Sequence, residues 1–396
     1  MSMSHVAKKV DIPIYDLIEE YSTIQNNPEF PPIHMETDAF SLDGEIVAKE
    51  AVKALKEAID SQKYDGYSSS KGILSAREAV ATLLSGNGHD VNRDDVIITT
   101  GVREALALVI TAIANSGDNI LVPKPGPAYY KHAIMKPAGI EAREYLVDLK
   151  NGELDTEQMR DLIDDRTKAI MLNNPHNPTG IIFRQKNLIE LLKLAEQSKI
   201  PIIADENYQK LLYTRLGNPL SLPQPSHFKP LASLQPQVPI IMCDNLSTRI
   251  PIAGWQLGWL VIYDKNDVLS KVKKGIIALS SQRPGPSITV QAALPNILSK
   301  TPNSYYENVQ KKLEKNAYVV FGALSQISGV KPVRAEAGIY MLISINAEKY
   351  PIASSTREFC KELISQKSVY LLQENCLEYT TAFAYILLDQ SKKLMK

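Results

Sequence analysis

Short apolar, β-branched runs alternate with stretches of helical periodicity over much of this chain. Val96-Ile-Ile-Thr99, Asn119-Ile-Leu-Val122, Ala169-Ile-Met-Leu172, Pro201-Ile-Ile-Ala204, Pro239-Ile-Ile-Met242 and Leu257-Gly-Trp-Leu-Val-Ile262 read as buried strands. The spacing predicts helices at about Arg103–Asn115, ended by Gly117, and at about Asn187–Ser198. An earlier helix is expected from an Asp43 cap to about Ser61, with Ile46, Val47, Val52, Leu55, Ala58 and Ile59 at helical spacing. Strands that alternate with helices predict an α/β fold built on a mainly parallel sheet covered on both faces. The spacing is too irregular for a barrel of equal units.

Beyond about residue 300 the pattern changes. A long charged helix from Tyr305 to about Ser325 precedes an apolar strand, Gly338-Ile-Tyr-Met-Leu-Ile-Ser344, and a helix near Thr356–Gln366. This predicts a smaller α+β domain. The expected division is an N-terminal arm or small-domain segment (1–44), a large α/β/α domain (45–298) and a small C-terminal α+β domain (299–396). The first segment is polar and proline-rich, as in Asn26-Asn-Pro-Glu-Phe-Pro-Pro-Ile33, and reads as an arm rather than a core element. Asn218–Pro239 reads as a long surface loop. The chain contains no internal repeat and no low-complexity tract.

Composition narrows the function classes. With 396 residues, 44% of them apolar, the chain can bury one large core or two moderate ones. Forty-four basic residues balance 44 acidic ones, so no electrostatic footprint points to nucleic acid or an anionic membrane. Cys243, Cys360 and Cys376 lack zinc and Cys-x-x-Cys spacing, and the six histidines lack metal-ligand spacing. The N-terminus has neither a signal peptide's apolar run nor a transit peptide's arginines, and no stretch is apolar for the length of a bilayer span. A soluble, cytoplasmic protein is expected, with no metal.

Candidate chemistry sits at strand ends. Asn173-Asn-Pro-His-Asn-Pro-Thr-Gly180 follows one predicted strand and Ala204-Asp-Glu-Asn-Tyr208 ends another, where α/β proteins form ligand sites. Taken alone, the first is a turn and the second a helix cap. Thr99-Thr-Gly-Val-Arg-Glu-Ala105 joins a strand to a helix start, so its backbone amides can face an anion.

In order and spacing these segments resemble those of the class I, fold type I aminotransferases, which use pyridoxal phosphate (PLP), and most nearly their tyrosine aminotransferase branch. Asp65-Gly-Tyr-Ser-Ser-Ser-Lys-Gly-Ile-Leu-Ser-Ala-Arg77, Gln282-Arg-Pro-Gly-Pro-Ser-Ile-Thr-Val-Gln291 and Pro332-Val-Arg-Ala-Glu-Ala-Gly-Ile-Tyr340 extend the resemblance across most of residues 30–386, with Cys376-Leu-Glu-Tyr379 near its end. It implies that Asn177 and Tyr208 contact the cofactor's phenolic oxygen and that Asp205 keeps its pyridine nitrogen protonated. Gly101 and Val102 become candidates for the phosphate. Tyr67 would reach the phosphate held by the neighbouring subunit, which implies a homodimer.

The resemblance breaks where the chemistry is done. In Asn245-Leu-Ser-Thr-Arg-Ile-Pro-Ile-Ala-Gly-Trp-Gln-Leu-Gly-Trp259, Thr248 stands where the family has its PLP-binding lysine. Gln256 stands at the arginine that grips the phosphate. Ala384 replaces the arginine that clamps the substrate carboxylate, and Pro127 the aromatic that stacks on the pyridine. A looser alignment of Ile33-His-Met-Glu-Thr-Asp38 puts Glu36 where a glycine leaves room for substrate. A hydroxyl forms no Schiff base, and a neutral amide gives no charge-assisted, bidentate phosphate contact. Gly254, Trp255, Leu257, Gly258 and Trp259 nevertheless match.

The expected function is that of a catalytically inactive pseudoenzyme with a structural, scaffolding or regulatory role. No covalently bound cofactor is expected, and non-covalent PLP or pyridoxamine phosphate (PMP) is left open, as is an unknown small-molecule ligand. The alternative is a residual or atypical PLP/PMP-dependent transaminase acting on aromatic amino acids and 2-oxo acids. A homodimer or other protein partner is expected, with no nucleic acid and no membrane.

Overall fold

A computed structural model describes residues 3–4, 6–10, 13–36, 47–86, 90–150, 152–213, 228–283, 285–372 and 382–386. Its central feature is a seven-stranded sheet of order β2-β8-β7-β6-β5-β3-β4. The strands are β2 (Val96–Thr99), β3 (Asn119–Lys124), β4 (Glu141–Leu146), β5 (Thr167–Asn173), β6 (Ile202–Asp205), β7 (Ile240–Asn245) and β8 (Gly258–Tyr263), with β1 (Ile33–His34) lying elsewhere. β4, β3, β5, β6 and β7 run parallel, and β8 is antiparallel to both β7 and β2. The mainly parallel α/β sheet read from the sequence is therefore present.

The run of apolar residues in each central strand reflects burial on two faces. In β6, Ile202 and Ala204 enter one core layer while Ile203 enters the other. The helices over the sheet are α2 (Lys49–Asp60), α3 (Leu74–Leu84), α4 (Gly101–Ile113), the turn α5 (Lys136–Ala138), α6 (Thr156–Asp161), α7 (Gln185–Ser198), α8 (Ser270–Ser280) and α9 (Ile288–Lys300), with α1 (Pro13–Ser22) before them. α4 fills one layer with Ala105, Leu106, Val109 and Ile110. α7 fills the opposite layer with Leu188, Leu191, Leu194 and Ala195.

A second core joins α1 to α10 (Asn303–Ser325) and α11 (Thr356–Lys367). β12 (Ala382–Ile386), β10 (Tyr340–Ile345) and β9 (Val330–Pro332) form an antiparallel sheet there, and β1 pairs in parallel with β11 (Val369–Tyr370). The reading of the N-terminal segment as an arm outside the core needs correction. Leu17 is 3% exposed and Tyr21 1%, and Ile33 and Met35 are buried in the same cluster. The polarity of this segment belongs to its outer face, where Glu20 meets Arg357 and Lys361.

The expected face of α2 is also corrected. Its buried residues are Ala51, Ala54 and Ala58, while Val52 and Ile59 are 39% and 56% exposed. Small residues there let α2 approach α9 closely. The helix begins at Lys49 after Ala48, and Asp43 and Ile46 lie outside the described residues. Residues 218–227 of the expected loop Asn218–Pro239 are also outside them, and within the rest Leu231–Leu234 forms a helical turn with Leu231 buried.

A larger side chain on the small-residue face should be rejected. Ala54→Leu is expected to lower stability by about 1–3 kcal/mol through overpacking, whereas Val52→Ser should stay within about 0.5 kcal/mol. Urea unfolding of both variants measures the difference, and equal effects would contradict this packing.

Candidate functional site

The carboxyl ends of β5, β6 and β7 bring three loops together beside the start of α4. Between this edge and the second core lies a cavity of about 370 Å3. A side chain at position 258 would hold the two sides apart, because a Cβ there would lie 2.6 Å from the Gly101 carbonyl carbon and 2.9 Å from the Asp244 carbonyl oxygen. Gly258 thus lets the first turn of α4 meet the strand ends.

The loop after β5 is held by its own side chains. The Asn177 N–H donates to Asn173 Oδ1 at 2.6 Å, and Phe183 N–H donates to Asn174 Oδ1 at 3.1 Å. His176 Nε2 faces the Pro125 carbonyl at 3.1 Å and its Nδ1 faces Thr179 Oγ1 at 2.7 Å. A carbonyl only accepts, so Nε2 carries the proton and the Thr179 hydroxyl donates to Nδ1. Burial pushes the His176 pKa down to about 4, so the ring is neutral. Gly180 closes the loop at φ +70°, where a Cβ would lie 2.7 Å from the Ala337 carbonyl oxygen. The result is a rigid turn that leaves the Asn177 side chain at the cavity.

Asp205 ends β6 but does not line the cavity; it lies behind the wall, 1% exposed. Its Oδ2 accepts hydrogen bonds from the Tyr130 hydroxyl and from the Tyr129 hydroxyl, the latter at 3.2 Å. Tyr129 lines the cavity, and its ring carries the Arg103 guanidinium 5.1 Å from the centroid. Arg103 also donates to the Tyr15 hydroxyl of α1 at 2.8 Å. These contacts link the floor of the cavity to the helix at its mouth.

Thr248 lines the cavity at 8% exposure, in the loop after β7. Its hydroxyl meets the Asn207 carbonyl and Asn245 Oδ1, the second at 3.1 Å, while its N–H donates to the same Asn245 oxygen at 2.9 Å. The single hydroxyl proton is thereby committed within the protein. Asp244 and Arg249 anchor this loop from below, with Arg249 Nη2 2.6 Å and Nε 3.2 Å from Asp244 Oδ2.

Of the other expected site residues, Gly101, Val102, Pro127, Tyr208 and Gln256 line this cavity. Gln256 is exposed and turns its amide back to donate to the Ala253 carbonyl at 2.7 Å. Tyr67 is 95% exposed and does not line the cavity. Glu36 does not line it either: its carboxylate is buried and faces His34 Nδ1 at 2.9 Å, which corrects its expected place in the pocket. The backbone of Ala384 pairs with Leu342 on β10. Sequence reading missed Arg103, Tyr129 and Asn207 as cavity residues. The adjacent tyrosines after Pro127 were a visible signal, but their partner Asp205 is distant in sequence.

Arg103 is the only lysine or arginine among the described cavity residues. Among the described residues, no group of three metal-ligating side chains is placed to hold an ion, and no helix is long and apolar enough to cross a membrane.

The family model described as aminotransferase class I and II matches residues 33–384. Human tyrosine aminotransferase is 35% identical over 379 residues, covering 95% of this chain and 81% of that protein. The Caenorhabditis elegans tyrosine aminotransferase is 38% identical over 358 residues, covering 90% and 74%. Tyrosine aminotransferase from Leishmania infantum shares the fold at a TM-score of 0.89 and 24% identity, over 100% of this chain and 95% of that one. Alanine aminotransferase from Pyrococcus furiosus superposes at a TM-score of 0.88 with 27% identity, over 100% and 97%.

The strand ends bury more acid than base. Burial pushes Asp205 up to about 6 and Glu206 to about 8, and it also raises Asp244. Because the folded-state pKa values of Asp205 and Glu206 exceed their ordinary ones, protonation favours the folded chain. That stabilisation is complete below the ordinary carboxylate range and is lost as pH rises through about 6 and then about 8. Glu206→Gln keeps an acceptor for the Leu231 N–H, now 2.7 Å from Glu206 Oε1, and removes the charge. Its melting temperature should therefore exceed that of the parent chain above about pH 8 and vary less with pH. A variant less stable than the parent in alkaline buffer would contradict the buried-acid account.

Proposed function

The chain belongs to the aminotransferase class I and II family, and from that premise we propose that it is a tyrosine-aminotransferase-like pseudoenzyme with a structural, scaffolding or regulatory role. The observation that carries this reading is that no lysine is among the described cavity residues, while Thr248, which the sequence resemblance sets at the lysine position, lines the cavity with its hydroxyl already bonded. When bound, PLP supplies the electron sink for transamination, but its covalent attachment requires an amine.

The remaining contacts fit a resident cofactor poorly. Asp205 Oδ2 already carries two tyrosine hydroxyls. Gln256 is neutral and folded onto its own turn. Arg103 stacks against Tyr129 and bonds to Tyr15. Asn177 and Tyr208 do line the cavity. They support the alternative of non-covalent PLP or PMP and a residual transaminase, and no step is assigned to them.

A homodimer and a cytoplasmic location complete the proposal. The exposed Tyr67, together with Val52, Ile59 and Leu74, supplies apolar surface suited to a second copy. The buried free thiols Cys243 and Cys360 suit a reducing compartment.

Incubation with PLP should give no stoichiometric aldimine absorbance and no lysine adduct after borohydride reduction and peptide mass mapping. A single stoichiometric lysine adduct would overturn the pseudoenzyme reading. Light scattering at micromolar concentration should give twice the chain mass, and Ile59→Glu with Tyr67→Glu should shift it toward the monomer. A parent chain that is monomeric under those conditions would refute the homodimer.

A further inference from the structure

We propose that Tyr15, Arg103 and Tyr129 form a gate across the mouth of the cavity, with the Tyr15 side chain as its moving leaf. The inference goes beyond the functional reading above, because it concerns entry to the cavity and not what is done inside it.

The three residues come from separate elements and meet at one rim. Tyr15 lies in the first turn of α1, Arg103 in the first turn of α4, and Tyr129 in the helical segment after β3. All three line the cavity. The Arg103 guanidinium sits 5.1 Å from the Tyr129 ring centroid and 5.8 Å from that of Tyr15, and it donates to the Tyr15 hydroxyl at 2.8 Å. One cation thus bridges two rings. One ring is carried by an element of the second core, and the other packs on the sheet side.

Exposure falls steeply behind this bridge. Tyr15 is 53% exposed and Arg103 is exposed, whereas the cavity residues Asn207, Asn245 and Thr248 are buried. The bridge therefore stands between solvent and the inner wall.

Two members of the bridge are fixed and one is not. Tyr129 is held from below by its hydroxyl, which donates to Asp205 at 3.2 Å. Arg103 rides on a helix packed into the sheet layer through Ala105, Leu106 and Val109. The later turns of α1 are pinned by buried Leu17 and Tyr21 and by the pairing of Glu20 with Arg357 and Lys361. Among the described residues the Tyr15 hydroxyl bonds to Arg103 alone. Exposed hydrogen bonds and cation–π contacts are individually weak, and an exposed side chain changes rotamer within nanoseconds once released. Rotation of one ring opens this gate without separating the two cores.

A cysteine reporter inside the cavity tests the gate. Ser247→Cys in the full chain is treated with the small neutral reagent methyl methanethiosulfonate, and labelling at position 247 is followed by peptide mass mapping. Tyr15→Ala, which removes the ring, and Arg103→Gln, which removes the cation, should each speed labelling about threefold or more. Tyr15→Phe keeps the ring but loses the hydroxyl, and its rate should lie between those of Tyr15→Ala and the parent reporter. Tyr318→Ala, at a tyrosine of similar exposure (54%) that does not line the cavity, should leave the rate unchanged. Urea midpoints of the gate variants should match that of the parent reporter, and Ala128→Cys serves as reporter if Ser247→Cys does not fold. The gate is overturned if either Tyr15→Ala or Arg103→Gln stays within about twofold of the parent reporter, or if Tyr15→Phe exceeds Tyr15→Ala. Equal acceleration by Tyr318→Ala also overturns it, as does faster labelling that tracks a loss of stability, since access would then come through unfolding.

Discussion

The burial of three acids beside one guanidinium governs the chemistry of this molecule's cleft. Asp205, Glu206 and Asp244 are 1%, 2% and 0% exposed, and Arg249 is their buried cationic neighbour at 3%. In a medium of low polarity such an excess of negative charge cannot persist bare. Part of the answer is geometric: Asp244 takes Arg249 and Gln209 on one oxygen, and Asp205 takes Tyr129 and Tyr130. The rest is protonation, with Glu206 pushed up to about 8. Of these donors Tyr129 lines the cavity itself, so the hydrogen bond that serves Asp205 also fixes part of the wall.

The same constraint explains how the cleft keeps its form. Asn245 Oδ1 alone receives the Ser247 hydroxyl, the Thr248 N–H and the Thr248 hydroxyl. The loop after β5 is closed by His176, Thr179 and Asn173. These bonds lie within the protein and need no ligand to complete them. Buried side-chain atoms without a hydrogen bond remain on either side, Asn174 Nδ2 in the loop after β5 and Asn207 Oδ1 after β6.

Much of the frame was legible because two-sided burial leaves continuous apolar runs, and β3, β5, β6, β7 and β8 fall on or beside the runs that predicted them. The edge strand β4 was not legible. Its sequence, Glu141-Ala-Arg-Glu-Tyr-Leu146, is polar because only one flank is paired and much of its surface is exposed. The α2 face was misjudged for a different reason. Hydrophobic size suggested Val52 and Ile59, but close helix contact selected the alanines. At the site, motif residues such as Asn177 and Tyr208 could be placed from sequence. The Arg103–Tyr129–Asp205 chain could not, because it joins residues from three separate elements through side-chain geometry.

On the reading proposed here, exchange of a lysine for Thr248 removes a cation from a neighbourhood already rich in acid. A neutral residue is tolerable there only if the acids are neutralised another way. Glu206 does so by holding its proton near neutral pH, and Asp205 by accepting from two tyrosines, one of which reaches into the cavity. The tyrosine that relieves Asp205 stands between that aspartate and the cavity, on its Oδ2. On that proposal, a lysine at position 248 alone would return the amine but leave Tyr129 on Asp205 and a neutral Gln256 at the cavity, so the proposed inactivity rests on several residues of the cleft rather than on Thr248 alone.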